Sequence, residues 1–462
     1  MRARLDAIDT QGEILVKTLA RVLVTALCLT ASPAFSEEET NAVEDIVGIL
    51  QQKGLIDEAT GDEILAKQAR SDAKRAAATP AVGAAASLVE GLVWNGDFRL
   101  RDEQFWYGRA FGGTADDNNR LRYRARLGFT KQVNPWALVG LRLASGTGDY
   151  RSTNVSFGED SNWSPHSVYL DRAYGQFTLP DPGGIGLAST LVAGRVANPF
   201  IWKNSADKFI WDEDISPTGL ALTSSISPFE GAKLFATVGY FVELTQSCCT
   251  DTKVWGFQLG GTTAVSEKIS AGARASFYDW DNVSADPDFA DDSQKFGNLP
   301  TAFEKDARIG ESTVFAKWGG IERWPAVVFG TVAYNFTADS GFVNGARVDP
   351  DQFAWGYGVE VGDAKQLFLL GIVYSHIPAN SVLALYTDSD MFDGYTNREG
   401  FGVYVARELA TNTEFKLSFW EGEPIKTTAS GGGDGPYNPT EYESAAQKAN
   451  RKRLQADVNF KF

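Results

Sequence analysis

The sequence predicts an all-β transmembrane protein, a 16-stranded antiparallel outer-membrane β-barrel over residues 91–462 with a short N-terminal helical segment. Three observations predict it. The final residues alternate: Leu454, Ala456, Val458, Phe460 and Phe462 share one face, and Gln455, Asp457, Asn459 and Lys461 the other. That period of two is a strand with one greasy and one wet face, and a closed barrel removes the sticky edge it would otherwise expose. No segment after the N-terminal leader reaches the roughly 20 apolar residues of a membrane helix. Short and long connections also alternate along the chain, as in a barrel with turns at one end and loops at the other.

The N-terminus carries Arg2, Arg4, Lys17 and Arg21, then the apolar run Val22–Leu29, with small residues at Ala34 and Ser36. This is the pattern of a secretory signal peptide over residues 1–36. Residues before about Lys17 are surplus to it, so the start codon is expected further in. Cys28 follows bulky Leu27, a poor context for lipidation. The mature chain is expected to begin near Glu37.

Residues 37–70 form an expected periplasmic helical hairpin. Val43, Ile46, Val47 and Leu50 fall on one helical face, and Gly54 closes the first helix. Asp57 or the Thr60/Glu63 pair caps a second helix through Ile64 and Leu65. Such a hairpin serves either as a tether or oligomerisation element, or as a solvated pair without a partner. Residues 71–90 are an alanine-rich linker.

From Gly91 onward the alternation repeats. Leu121, Tyr123, Ala125, Leu127 and Phe129 interleave with Arg120, Arg122, Arg124, Arg126 and Gly128. Trp255, Phe257 and Leu259 interleave with Gly256, Gln258 and Gly260, and Ile269 through Phe277 with Ser270 through Ser276. Short turns near 131–135, 180–186, 227–232, 267–268, 321–325, 362–365 and 410–412 separate loops near 104–118, 146–167, 200–210, 246–252, 281–309, 339–352, 379–399 and 423–450. Seven turns and eight loops make sixteen strands, with about 23 residues per strand and connection, ample for spans of roughly 9–11 residues. Trp136 and Trp324 sit at strand edges, suiting an interfacial aromatic belt. The strand Leu367–Tyr374, apolar on both parities, is the expected subunit contact.

Composition narrows the function. The full chain has a net charge of −16, and removing residues 1–36, with four basic and three acidic side chains, leaves −17. So acidic a chain is not expected to bind nucleic acid. Two histidines, His166 and His376, speak against a histidine-based metal centre, and no motif pairs either with a nucleophile, so no enzyme activity is expected. Adjacent Cys248 and Cys249 cannot staple a fold in the ordinary way. Gly431–Gly433 lacks the strand-to-helix context of a phosphate cradle. No cofactor is expected.

The sharpest chemical feature is a ladder of arginines on the wet parity: Arg99 and Arg101, then Arg120, Arg122, Arg124 and Arg126, then Arg142. On the inner wall they form a positive strip that passing ions and polar solutes feel; alternatively they are salt-bridged and stiffen the barrel. Asp212 and Asp214, after the fifth strand, are the expected constriction carboxylates facing that strip. Acidic loops at Asp281–Asp292 and Asp388–Asp393 lack calcium-loop spacing and read as a solvated rim.

Gly96-Asp97-Phe98-Arg99-Leu100-Arg101 and Arg120 through Gly128 resemble the opening strands of a family of outer-membrane porins of Gram-negative bacteria. Leu170 through Tyr174, Gly194-Arg195 with Asn198-Pro199-Phe200, and Trp211 through Asp214 with Pro217 and Gly219 are similar to later signatures. Gln52 through Ile56 resembles the segment many members carry before the barrel. The resemblance covers nearly the whole mature chain. It implies a sixteen-stranded barrel in outer-membrane lipid, often a homotrimer, passing small hydrophilic solutes passively. A more distant likeness to phosphate-selective porins is weakened by the sparse lysines. The alternative from another class is a structural barrel anchored to the cell wall through its N-terminal helices. Uptake of hydrophobic molecules would need an apolar internal site, against which the arginines speak.

Overall fold

The computed structural model divides the chain into two compact units, Met1–Gly91 and Leu92–Phe462. It describes residues 62, 66, 90–107, 118–158, 163–202, 209–245, 251–283, 297–298, 306–321, 324–338, 341–343, 346–348, 350–426 and 450–462. In the first unit, Asp62 and Ala66 are helical and Glu90–Gly91 form a turn. The signal peptide, the rest of the helical hairpin, the linker up to residue 89, Cys248–Cys249 and Gly431–Gly433 lie outside the described residues.

In the second unit the strands are β1 (Leu92–Tyr107), β2 (Asn118–Asn134), β3 (Ala137–Ser145), β4 (Val155–Ser156), β5 (Val168–Leu179), β6 (Ala188–Arg195), β7 (Thr218–Ile226), β8 (Ala232–Leu244), β9 (Thr252–Ser266) and β10 (Ile269–Asp281). They continue as β11 (Ala307–Ile321), β12 (Trp324–Asn335), β13 (Gly341–Val343), β14 (Ala346–Val348), β15 (Phe353–Gly362), β16 (Leu369–Ile377), β17 (Arg398–Ala410), β18 (Thr413–Pro424) and β19 (Arg451–Lys461). Two-residue β4 caps β2, and β13–β14 is a separate small hairpin. The other sixteen each pair antiparallel with their neighbours, and β19 returns to β1, closing the barrel. The expected seven turns and eight loops are all present. The loop expected at 200–210 runs from 196 to 217, because β6 ends at Arg195 and β7 begins at Thr218.

Closure follows from the terminal alternation. Asp97 through Tyr107 pair with Lys461 through Arg451, and Gly96 exchanges backbone hydrogen bonds of 2.8 and 3.1 Å with Phe462. A Cβ at Gly96 would lie 2.5 Å from the Phe462 ring, so a glycine is what lets that ring lie across the first strand.

Burial is the inverse of a soluble protein's. Leu121, Leu220, Leu259, Val314, Ile372 and Val403 are exposed on the outer wall, while Arg101, Glu103, Arg124, Arg453, Gln455 and Asp457 are buried inside. Trp136 and Trp324 are exposed at the turn end. Between β3 and β5 the register slips: Arg142 opposes Arg172 while Leu143 opposes Leu170. The extra residue is Asp171, which this bulge aims inward with its neighbour Arg172.

The interior also holds an apolar core, on the side of the barrel interior away from much of the arginine ladder. Phe200, Phe209, Ile210, Trp211, Tyr278, Trp280, Val382, Leu383, Leu385, Tyr386 and Phe392 are buried in one cluster. Its loop members come from the described residues of 196–202, 209–217 and 378–397, which fold into the barrel. A smaller cluster of Phe329, Val373 and Tyr404, with Leu369 beside it, lies on the inner wall. That explains why the segment 367–374 is greasy on both parities: Leu370 and Ile372 are exposed outside, while Leu369 and Val373 pack inward.

Candidate functional site

The strand period puts Asp97, Arg99, Arg101 and Glu103 of β1 on the inner wall. Register sets Arg101 beside Arg122 on one side and Asp457 on the other, and Arg99 beside Arg124. All but one of the ladder arginines have a carboxylate partner within 4 Å. Arg101 binds Asp457 at 2.6 and 2.9 Å. Fully buried Glu103 receives Arg120 at 2.5 Å, Gln455 at 3.0 Å and Arg453, with Arg122 at 3.7 Å. Asp97 binds Arg124 at 2.8 Å and Arg126 at 2.7 Å, and Arg142 binds Asp171. Arg99 alone in the ladder has no carboxylate in ion-pair range among the described residues; it donates to Asn154 Oδ1 at 2.6 Å and its Nε is buried without a partner.

The two inward loops supply further carboxylates. Asp214 reaches Arg126 at 3.1 Å and Arg124 at 3.4 Å. Burial alone pushes its carboxyl up, but Arg124, Arg126 and Arg99 outweigh that and hold it at about 2. Asp212, expected beside it on the strip, meets no arginine among the described residues: its oxygens accept the backbone N–H groups of Asp214 at 2.8 Å and Ser389 at 2.7 Å. It therefore splices the two loops. Burial, with Asp388 and Asp214 close by, pushes Asp212 well above the ordinary carboxylate range. Nor is Asp388–Asp393 a solvated rim. Asp390 binds Arg101 at 2.9 Å and Arg453 at 3.1 Å, and Asp393 binds Arg451 and, at 3.3 Å, Arg453. Burial alone pushes Asp390 up, but Arg101, Arg453 and Arg99 hold it well below the ordinary range. In the acidic loop 281–292, residues 284–292 lie outside the described residues.

The loops are seated on glycines. A Cβ at Gly256 would lie 2.4 Å from the Phe200 ring, one at Gly356 2.6 Å from Phe209, and one at Gly422 2.5 Å from Phe392. Gln258 and Arg274 then donate to the Phe200 carbonyl at 2.9 and 2.6 Å. Bare backbone at these wall positions lets aromatic rings lie flush against the sheet. Glycines recurring on the wet parity, and the run Val382–Tyr386 inside a supposedly polar loop, were the signals in the sequence.

Below this apolar core lies a chamber of about 750 Å³. It is bordered by Arg99, Arg101, Arg124, Arg126, Arg142, Arg172, Lys416 and Lys461, and by Asp212, Glu213, Asp214, Glu360, Asp388, Asp390, Glu414 and Asp457. Eight basic and eight acidic side chains make a charge-balanced wall in place of the positive strip read from β1–β3. The missed carboxylates that border the chamber come from β15, β18 and β19 (Glu360, Glu414 and Asp457) and from a loop assigned to the rim (Asp388 and Asp390), while Asp97 and Glu103 of β1 neutralise the ladder itself. Arg120 and Arg122 sit nearer the loop end and do not border the chamber. Such a wall suits water, ions and polar solutes. Among the described residues no three His, Cys, Asp or Glu are placed to hold a metal ion. His166 is bonded to Tyr123 at 2.6 Å, and His376 to Glu399 at 2.8 Å.

The sequence profile of the family described as "putative porin" matches residues 97–311. No curated protein matches the chain. Among solved structures, a triple mutant of the Rhodopseudomonas blastica porin is similar at 10% identity and a TM-score of 0.40, covering 80% of this chain and 100% of that one. The high-pH structure of OprB from Pseudomonas putida is similar at 11% identity and a TM-score of 0.49, covering 82% and 96%.

Proposed function

We propose that this chain, carrying the "putative porin" match, is an outer-membrane porin: a passive, water-filled channel for small hydrophilic solutes and ions. One observation carries the reading most. A polar chamber of about 750 Å³ lies inside a closed barrel whose outer wall is apolar. The chamber extends toward the turn end, where Glu360, Glu414, Lys416 and Lys461 border it. Arg99, Arg101, Arg124, Arg126 and Arg142 line one side of the path, Asp214 narrows it, and Asp212 ties the narrowing loops together. Outer-membrane lipids surround the wall, the barrels assemble as homotrimers, and the N-terminal segment stays periplasmic.

The charge-balanced wall supports weak ion selectivity, not a strong preference for anions. Liposome swelling with sugars and organic acids of graded size tests the reading: uptake falls with solute size, and absence of swelling with the smallest sugars would end it. One feature favours the alternative of a structural, plugged barrel: the apolar core of the two inward loops fills much of the loop end. Stable open steps in planar bilayers separate the two, because a plug gives none.

A further inference from the structure

We propose that the loop end of the barrel interior holds a binding subsite for small aromatic carboxylates. The subsite is a cavity of about 360 Å³ between the inward loops and the inner wall of β6–β10. This deepens the porin reading by naming a solute class.

The cavity wall is largely apolar, with the aromatic rings of Tyr150, Trp211, Phe241, Trp280 and Tyr386 among aliphatic side chains such as Ile215 and Val254. The rings of Trp280 and Tyr386 lie parallel within 6°, with centroids 6.0 Å apart. Trp211 stands 5.7 Å from Trp280 and 5.6 Å from Tyr386, and Tyr150 adds a ring 6.3 Å from Tyr386. One parallel and three tilted ring pairs gather apolar aromatic surface beside the cavity, a wall against which a planar aromatic guest can pack. A polyol would exchange its water hydrogen bonds for few partners here, which disfavours it.

One cation borders the cavity. Arg195 donates its Nε to the Asp171 carbonyl at 2.8 Å, which fixes the guanidinium at the end of β6. No carboxylate of the described residues pairs with it, so its remaining donors are available to a guest. The one acid in the lining, Glu243, already accepts the Tyr386 hydroxyl. A planar guanidinium beside stacked rings matches a molecule with an aromatic body and a carboxylate head, held by two parallel hydrogen bonds.

The subsite also has a place on the path. Trp211 borders this cavity, whereas the next three residues, Asp212, Glu213 and Asp214, border the charged chamber. One short strap of loop thus separates an outer aromatic station from an inner ionic one.

The test uses the full barrel refolded in detergent and titrated calorimetrically with benzoate, benzyl alcohol and benzylamine. Benzoate binds saturably; benzyl alcohol and benzylamine bind at least about tenfold more weakly, as loss of a charge-assisted pair requires. Arg195→Gln weakens benzoate by at least about the same factor, and Tyr150→Ala weakens it severalfold. Benzoate binding no tighter than benzyl alcohol, or undiminished by Arg195→Gln, overturns the proposal. If Arg195→Gln fails to refold, the three ligands on the native chain and Tyr150→Ala still decide it. Conductance in potassium chloride, read on the same preparation, reports the channel separately from the subsite.

Discussion

Arg101 on β1 grips Asp457 on β19 through two hydrogen bonds of 2.6 and 2.9 Å, fastening from within the seam where the ends of the barrel sheet meet. The same arginine also holds Asp390 of an inward loop at 2.9 Å. Seam, wall and loop are therefore one connected network.

Asp457→Asn weakens that seam. Arg101 keeps Asp390 and Glu103, so the loss is about 1–3 kcal/mol, below the roughly 3–5 kcal/mol of a fully orphaned buried charge. Guanidinium unfolding in lipid vesicles reads it as a lower midpoint; an unmoved midpoint would show that the pair contributes nothing net.

Gly256→Leu unseats Phe200, whose ring lies 2.4 Å from where the new Cβ must go. Overpacking of this kind costs about 1–3 kcal/mol, and Gln258 and Arg274 lose their grip on the Phe200 carbonyl. With the loop displaced, single-channel conductance rises; Gly256→Ala has the smaller effect. Identical conductance in both variants contradicts the docking.

Ion selectivity answers to the balance of charges. Arg122→Glu with Arg124→Glu removes two cations facing Glu103, Asp97 and Asp214 and adds two anions, so the reversal potential moves toward cation preference. Glu103→Gln removes the partner of Arg120 and Arg453 and moves it the other way. Unchanged reversal potentials in both would remove the wall from the conduction path.

Acid loosens the inward loop. Asp214 is held at about 2, below its ordinary 3.8, so its contribution is present above pH 3.8 and lost as pH falls through about 2. The shift is worth on the order of 2 kcal/mol. Asp390 acts with the same sign, whereas Asp212, pushed up, works in the opposite sense. Conductance therefore changes between about pH 4 and 2, and Asp214→Asn abolishes most of that change. A flat profile in the native channel contradicts it.

The barrel was legible because its period is local. Each wall residue such as Leu121 or Arg122 declares its face through its immediate neighbours, and strand count follows from turns. The interior was legible only in part, because inward folding of a loop has no period. Phe200, Phe209 and Phe392 are spread through segments otherwise rich in Asp, Ser and Asn, and the wall residues that receive them are glycines, which carry no hydropathy signal. The neutralising carboxylates were more accessible. Asp97 and Glu103 share parity with Arg99 and Arg101, so reading acids and bases together along β1 shows a zwitterionic row.

Phe200, Phe209 and Phe392, pressed onto Gly256, Gly356 and Gly422, give the molecule a second hydrophobic driving force that needs no lipid. The outer wall is content only in hydrocarbon or detergent, whereas the loop core is sealed by protein alone. Swapping one amphiphile for another should therefore perturb the tryptophans of the belt, Trp136 and Trp324, and leave the fluorescence of interior Trp211 and Trp280 almost untouched.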